Sequence, residues 1–364
     1  MVEDESGTLS LVNNFDLIRI FAALQVVFTH ALEHLQINNA FLQSLNDHVL
    51  QYFPGVPIFF VVSGFLIFWS FDRKQNSVVL FYRNRIMRLY PALWLCLLVT
   101  SLLLLFAYPF EKTDLLFSGN SLKWIAAQGP FFQFYTPDTL RFWGVGAPNG
   151  SLWTIAVELQ FYILVPLLFF MLKRAAKNWT IVLFFLMLVS LLANFGIGLL
   201  VKESLAQKLG SVFILPYFYY FLSGVFLYKK WPQLSLFFNG KFIYWFLLYA
   251  IYCLVFGLFL KNDISSYWIS SPFKLLADVL LMCTVLSFAF TNRTLSHRLL
   301  SGNDISYGVY IYHMLVINTF LYLGWQGESE FLFMVLGASI ICGYFSWIII
   351  EKRVLALKRK SLVH

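Results

Sequence analysis

The sequence predicts an all-α, polytopic integral membrane protein of about ten transmembrane helices, and three observations predict it. First, 60% of the residues are apolar, 20% aromatic and only 12% charged, with a mean hydropathy of +0.73, a balance foreign to water-soluble globules. Second, apolar runs of the roughly 20 residues needed to cross a hydrocarbon core of about 30 Å recur along the whole chain. Third, Lys and Arg fall mostly in the short connections between those runs, the pattern that insertion topology imposes.

The segments span 16–34, 55–72, 91–108, 152–172, 179–198, 211–228, 243–260, 275–291, 306–323 and 331–350. Residues 1–14 are acidic and no small-residue cleavage site follows the first segment, so it is expected to be retained rather than removed as a signal peptide. With both termini cytoplasmic, the inner connections hold Arg73, Lys74, Arg83, Arg85 and Arg88, then Lys173, Arg174 and Lys177. Later inner connections hold Lys229, Lys230, Lys241, Arg293 and Arg298, and the tail adds Lys352, Arg353, Lys358, Arg359 and Lys360. These are most of the 26 Lys and Arg. A single membrane domain over residues 1–364 is expected, with short cytoplasmic tails at 1–14 and 352–364. The net charge of +8 therefore answers to lipid headgroups and topology, not to nucleic acid. Cys96, Cys253, Cys283 and Cys342 lie inside apolar spans without a CxxC pair, so neither a disulfide framework nor a metal site is expected.

The first segment, "FDLIRIFAALQVVFTHALEH", carries Asp16, Arg19 and His30, residue types that bilayers exclude. Arg19 and His30 are about three turns apart, so they share one helix face over roughly 16 Å, enough to line a polar passage. Arg19 snorkelling to headgroups, with His30 making one structural hydrogen bond, is the simpler alternative. The fourth segment, "SLWTIAVELQFYILVPLL", runs in the opposite sense and brings Glu158 to a similar depth. A carboxylate beside a histidine sets its tautomer and stabilises the imidazolium formed on proton transfer. "FYRNRIMRLYPALW" sets Arg83, Arg85 and Arg88 ahead of a helix that Pro91 is expected to start. Two roles suit these guanidinium groups, a bidentate grip on cofactor phosphates and a purely topogenic charge cluster.

Six stretches, "FDLIRIFAALQVVFTH", "FPGVPIFFVVSGFLIFWSF", "RNRIMRLYPALW", "GSLWTIAVELQFYILVPLL", "LPYFYYFLSGVFLY" and "ISYGVYIYHMLVI", resemble the successive blocks of the acyltransferase 3 family of bacterial integral-membrane O-acyltransferases, which includes O-antigen acetylases. The blocks stand in family order over roughly residues 15 to 350. The resemblance implies an enzyme of the bacterial inner (plasma) membrane. Its acceptor would be a hydroxyl of an extracytoplasmic cell-envelope glycan or lipid-linked precursor, and its donor cytoplasmic acyl-CoA, usually acetyl-CoA, with no metal. Arg19 and His30 match the family's functional Arg and His, Arg85 and Arg88 its Arg-x-x-Arg element on the CoA side, Glu158 the acid of its Trp-Thr-x-x-x-Glu block, and Ser63 with Gly64 its Ser-Gly-Phe block. Where the family often ends its last helix in Glu-x-Pro, this chain has Arg353 in place of the proline.

The expected mechanism has acetyl-CoA held by Arg85 and Arg88 with Arg19 as a guide, and His30, oriented by Glu158, deprotonating the acceptor. Ser63 is a conceivable nucleophile, although a Ser-Gly pair in a membrane helix ordinarily serves close packing. His313 either lines the cofactor channel or hydrogen-bonds a neighbouring helix, and for Tyr307 and Tyr310 the simpler reading is that of interface-facing aromatics. The long connection from Pro109 to Gly150 is dense in aromatics, Trp124, Phe131, Phe132, Phe134, Tyr135, Phe142 and Trp143. Acceptor recognition is assigned there and to the helix start beyond it, through Asn149, Ser151 and Trp153, with Ser63. An interfacial segment resting in the headgroups is the equal alternative. From another class, a proton-coupled secondary transporter would also use intramembrane His, Glu and Arg, but the chain lacks an inverted repeat and paired broken helices.

Overall fold

The computed structural model describes residues 12–73, 77–107, 119–130, 132–200 and 204–360. Lys74, Phe131, the stretch 108–118 and residues 1–11 and 361–364 of the two expected tails lie outside the described residues. In order come α1 (Phe15–His34), α2 (Ala40–His48), α3 (Gly55–Arg73), α4 (Val78–Ala107), α5 (Gly119–Gln128), α6 (Trp153–Arg174), α7 (Trp179–Gly198) and α8 (Leu205–Ser211). Then follow α9 (Phe218–Lys229), α10 (Trp231–Phe238), α11 (Phe242–Tyr252), α12 (Pro272–Phe290), α13 (Leu295–Leu300), α14 (Ser306–Tyr322), α15 (Ser329–Ser346) and α16 (Lys352–Lys360). Among the described residues there is no strand. Helices are the expected outcome, because lipid offers no partner to backbone N–H and C=O groups and each segment must satisfy its own.

By length and composition, eight helices among the described residues can cross a membrane, or nine if the pair Leu205–Ser211 and Leu215–Lys229, bent by 54°, makes one span. The tenth expected segment is α14, with 17 residues. One boundary differs by several turns. Pro91 was expected at a helix start, but it lies inside α4, which begins at Val78. A proline only removes one hydrogen bond and kinks a helix where neighbours support it. Arg85 and Arg88 therefore sit on a helix, three residues apart and on one face, rather than in a loop.

The contacts divide the chain into two compact units, residues 1–22, 48–78 and 161–303 in the first and 23–47, 79–160 and 304–364 in the second. In the first unit α3 packs on α9 through two Ser-Gly pairs. A Cβ on Gly64 would lie 2.1 Å from the Phe221 carbonyl oxygen, and one on Gly224 would lie 2.3 Å from the Val61 oxygen. Backbone meets backbone here, the way small residues let membrane helices approach. Gly64→Ala is accordingly expected to destabilise the protein by about 1–3 kcal/mol, the usual penalty of overpacking, measured as a lower thermal midpoint in detergent. A midpoint equal to wild type would show that the two backbones separate freely. Nearby, the Trp231 and Phe290 rings pack at a tilt of 38° with centroids 4.1 Å apart, and Asn14 donates to the Thr291 carbonyl (2.7 Å) while accepting from Ser296 N (3.0 Å).

The second unit holds α14 against α15 by the same device. A Cβ on Gly308 would meet Gly343 Cα at 2.7 Å. On α4, Cys96 Sγ donates to the Ile311 carbonyl (3.3 Å), and the Tyr307 hydroxyl donates to the Leu89 carbonyl (3.1 Å).

Candidate active site

The second unit carries two polar layers along α14, separated by about 10 Å of helix between Ser306 and His313. The first is built on charge. Arg88 directs Nη2 to Asp304 and Nη1 to Glu351 (3.3 Å), and its guanidinium lies over the Trp347 ring at 5.8 Å from the centroid. Asp304 stands at the start of α14, where it also accepts from the Ser306 hydroxyl at 2.5 Å and where the helix dipole favours an anion. Glu351 closes a π-helical turn, Trp347–Glu351, between α15 and α16. Such wide turns re-aim side chains, and this one brings Glu351 onto Arg88 and under the Ser346 hydroxyl (3.1 Å). Arg88 was expected to grip a phosphate, yet its fork is occupied by two protein carboxylates. Arg85, one turn away, is partly exposed and stacks its guanidinium 5.8 Å from the Phe81 centroid.

The second layer is built on histidine. His313 is wholly buried. Its Nδ1 lies 2.5 Å from the Tyr310 carbonyl oxygen and its Nε2 lies 3.0 Å from His30 Nδ1. A carbonyl can only accept, so His313 Nδ1 carries the proton and, in the neutral ring, Nε2 is the acceptor. His30 Nδ1–H then donates to it. That leaves the lone pair of His30 on Nε2, on a ring that is only partly buried. The chain from carbonyl to His313 to His30 thus fixes the tautomer of the outer histidine, as a buried partner does in hydrolytic triads.

Tyr310 and the start of α6 support this layer. The Tyr310 hydroxyl donates to the Ser151 carbonyl (3.3 Å) and lies 2.8 Å from Thr154 Oγ1. Asn149 donates to the Ile311 carbonyl (2.7 Å) and accepts from Ser151 Oγ (2.8 Å). Asn318, fully buried, accepts from Val145 N and donates to the carbonyls of Ala147 and Pro148 (3.1, 2.9 and 3.1 Å). Gly144, at φ +59°, passes so close that a Cβ would meet the Asn318 amide at 2.0 Å. One buried amide therefore holds the loop that delivers Asn149 and Ser151.

Of the residues expected at the site, the second unit brings together His30 and His313, and separately Asn149 and Ser151. Glu158 lies one turn beyond Thr154 on α6 and is partly exposed, as is Trp153. The expected role of Glu158, fixing the His30 tautomer, is filled at Nδ1 by His313. Arg19 pairs with Asp16 within α1, and both Arg19 and Ser63 belong to the first unit. In the aromatic connection, Trp124 and Trp143 are buried, and the Gln133 amide donates to the carbonyls of Gln128 and Pro130 (3.0 and 2.8 Å). Phe132, Tyr135 and Phe142 are exposed. Sequence reasoning missed Asp304, Glu351, Thr154 and Asn318, and took Tyr310 for an interface aromatic. For Glu351 the signal was present in the sequence, since an acid ending an apolar span needs a cation such as Arg88.

A family model described as an acyltransferase domain matches residues 12–351. The chain belongs to this family. It is a multi-pass membrane O-acyltransferase. Among its relatives, Nodulation protein 10 of Rhizobium leguminosarum bv. viciae is 32% identical over 96% of this chain and 95% of that protein. The O-acetyl transferase of Shigella phage Sf6 is 26% identical over 96% of this chain and 98% of its own length. Peptidoglycan O-acetyltransferase OatA of Listeria monocytogenes is 28% identical over 35% of this chain and 21% of its own. No solved structure matches the chain.

Proposed function

We propose that this acyltransferase moves an acetyl group from cytoplasmic acetyl-CoA to a hydroxyl of an extracytoplasmic cell-envelope glycan or its lipid-linked precursor, with both chain termini in the cytoplasm. The observation that carries the chemistry is the hydrogen-bond chain from the Tyr310 carbonyl through His313 to His30 (2.5 and 3.0 Å), which presents His30 Nε2 as a base. The acetyl donor and the glycan acceptor are supported by the relatives that bear O-acetyl transferase names.

In this scheme His30 Nε2 takes the acceptor's hydroxyl proton as the oxygen bonds to the thioester carbonyl carbon. The C–S bond breaks, and the imidazolium returns the proton to the departing thiolate. His313 and Tyr310 hold the ring in orientation throughout. Arg85 binds donor phosphate, while Arg88 ties α4 to Asp304 and Glu351. Arg19 is assigned to the donor by the family pattern alone. Glu158 is assigned to stabilising the imidazolium or the acceptor, and Asn149 and Ser151 to supporting Tyr310.

Washed membranes supplied with labelled acetyl-CoA test the function directly. Label transferred to a glycan supports it, whereas substrate uptake into sealed vesicles without transfer would return the chain to the carrier class. Two variants refine the assignment. Arg85→Ala is expected to raise the KM for acetyl-CoA by about tenfold or more, the worth of a charge-assisted hydrogen bond, with an unchanged thermal midpoint. An unaltered KM would leave Arg85 a topogenic charge. Glu158→Gln, combined with His30→Ala, is expected to cost little more than His30→Ala alone, and strict additivity would detach Glu158 from the base.

A further inference from the structure

α4 carries no charged residue from Leu89 to Ala107, about 28 Å of helix and close to the ~30 Å of a hydrocarbon core. The chain leaves α4 at the Ala107 end, yet the connection that follows is seated at the other end of this run. The Tyr90 hydroxyl donates to the Gly129 carbonyl (2.6 Å), and a Cβ on Gly129 would lie 3.7 Å from the Trp94 ring, one turn further along α4. About 25 Å of helix separates Tyr90 from Ala107. Farther along the same connection, Asn318 holds Val145, Ala147 and Pro148. α14 runs parallel to α4, since Tyr307 bonds Leu89 and Cys96 bonds Ile311. Asn318, about 16 Å beyond Tyr307, therefore lies toward the Ala107 end, and the connection goes in and comes back.

The inner turn is finished as a chain segment away from water must be. The Trp124 carbonyl accepts from Gln128 Nε2 (3.3 Å), the Ala126 carbonyl from Gly129 N (3.3 Å), and the Gln128 and Pro130 carbonyls from Gln133 Nε2. With Tyr90 on Gly129, protein groups occupy carbonyls that a solvated loop leaves to water. α5 is also turned inside out. Ser121, Trp124 and Gln128 form its buried face, while Leu122 (56% exposed) and Ile125 (37%) point outward, as does Phe132 just past the turn (54%). Lys123, the sole charge on α5, is long enough to snorkel.

We infer that this connection is a re-entrant hairpin, which enters the membrane beside α4, turns at Gly129 and returns to the side it came from, with Leu122, Ile125 and Phe132 against lipid acyl chains. It lies away from the charged layer, because Tyr90 stands nearly opposite Arg88 around α4. Phe132, expected among the aromatics of an acceptor surface, is thereby assigned to lipid.

The test uses the full-length protein in nanodiscs of phosphatidylethanolamine and phosphatidylglycerol, where both faces are open to reagents. Leu122→Cys, Ile125→Cys and Arg141→Cys are treated with a maleimide on a polyethylene glycol chain, and a new adduct is read as a mass step above those of the four native cysteines. Arg141 is exposed and pairs with Asp138 on the returning limb, so Arg141→Cys is expected to react freely. Because the reacting thiolate is disfavoured in hydrocarbon, the other two variants are expected to react at least about tenfold more slowly, and to match Arg141→Cys once unfolded in dodecyl sulfate. p-Benzoylphenylalanine in place of Ile125 separates lipid contact from crowding by protein, and irradiation is expected to give lipid adducts detected by mass. Labelling of Leu122→Cys or Ile125→Cys within a few-fold of Arg141→Cys in nanodiscs, or a photoprobe that couples to this chain and not to lipid, overturns the inference.

Discussion

His30→Ala is expected to lower acyl transfer by about 10²–10⁴-fold, the contribution of a positioned general base, while expression and acetyl-CoA binding stay near wild type. The loss falls on the transition state because Nε2 acts only as the acceptor proton moves. His313 distinguishes a tautomer-fixing partner from mere packing. In His313→Ala the Nδ1–H of His30 loses its acceptor, so the ring can present either tautomer and rotate, and kcat is expected to fall with little change in donor KM. His313→Gln keeps a carbonyl oxygen able to accept that proton, and partial recovery over alanine is expected. The double variant is expected to be no worse than His30→Ala alone, since the two rings act as one unit. Transfer rates from labelled acetyl-CoA measure all four variants. His30→Ala activity within a few-fold of wild type, or a glutamine variant no better than alanine, would remove the pair from the chemistry.

Arg88→Ala is expected to cost about 3–5 kcal/mol of stability, because it strands the carboxylates of Asp304 and Glu351 in the interior without their cation. Glu351 is 3% exposed and Asp304 8%, so water cannot take over the pairing. Arg88→Lys restores the charge but not the fork that reaches both acids, and an intermediate midpoint is expected. Arg85→Ala serves as the control, since it is expected to change donor affinity and not the midpoint. Thermal unfolding in detergent and donor binding, measured side by side, separate the two arginines. A stable Arg88→Ala protein with weakened acetyl-CoA binding would instead make Arg88 the donor ligand that the Arg-x-x-Arg spacing suggests.

Pattern and structure part at the two arginines. Arg85 and Arg88 are three residues apart and equivalent by spacing, and both read as phosphate ligands. The difference arises because Arg88 faces the start of α14 and the π-helical turn at Glu351, 263 residues away in the chain. Likewise Glu158 was matched to His30 by depth. Depth along two helices says how far each side chain reaches, but not which helix is its neighbour, and the neighbour at His30 Nδ1 is α14.

By itself the sequence determined the membrane class, the helical segments, the family and the polar residues that a bilayer tolerates only for a reason. Each of these is a local property: hydropathy is summed over one run, and an intramembrane His or Arg is costly wherever its helix packs. Only the tertiary structure decided the pairings, His30 with His313, Arg88 with Asp304 and Glu351, and Asn318 with the loop ahead of α6. A periodicity of 3.6 residues assigns a side chain to a face of its own helix, whereas a hydrogen bond needs the position of a second helix. That position is set by contacts such as Gly308 against Gly343, which join segments far apart in the chain and leave no mark in the spacing of either.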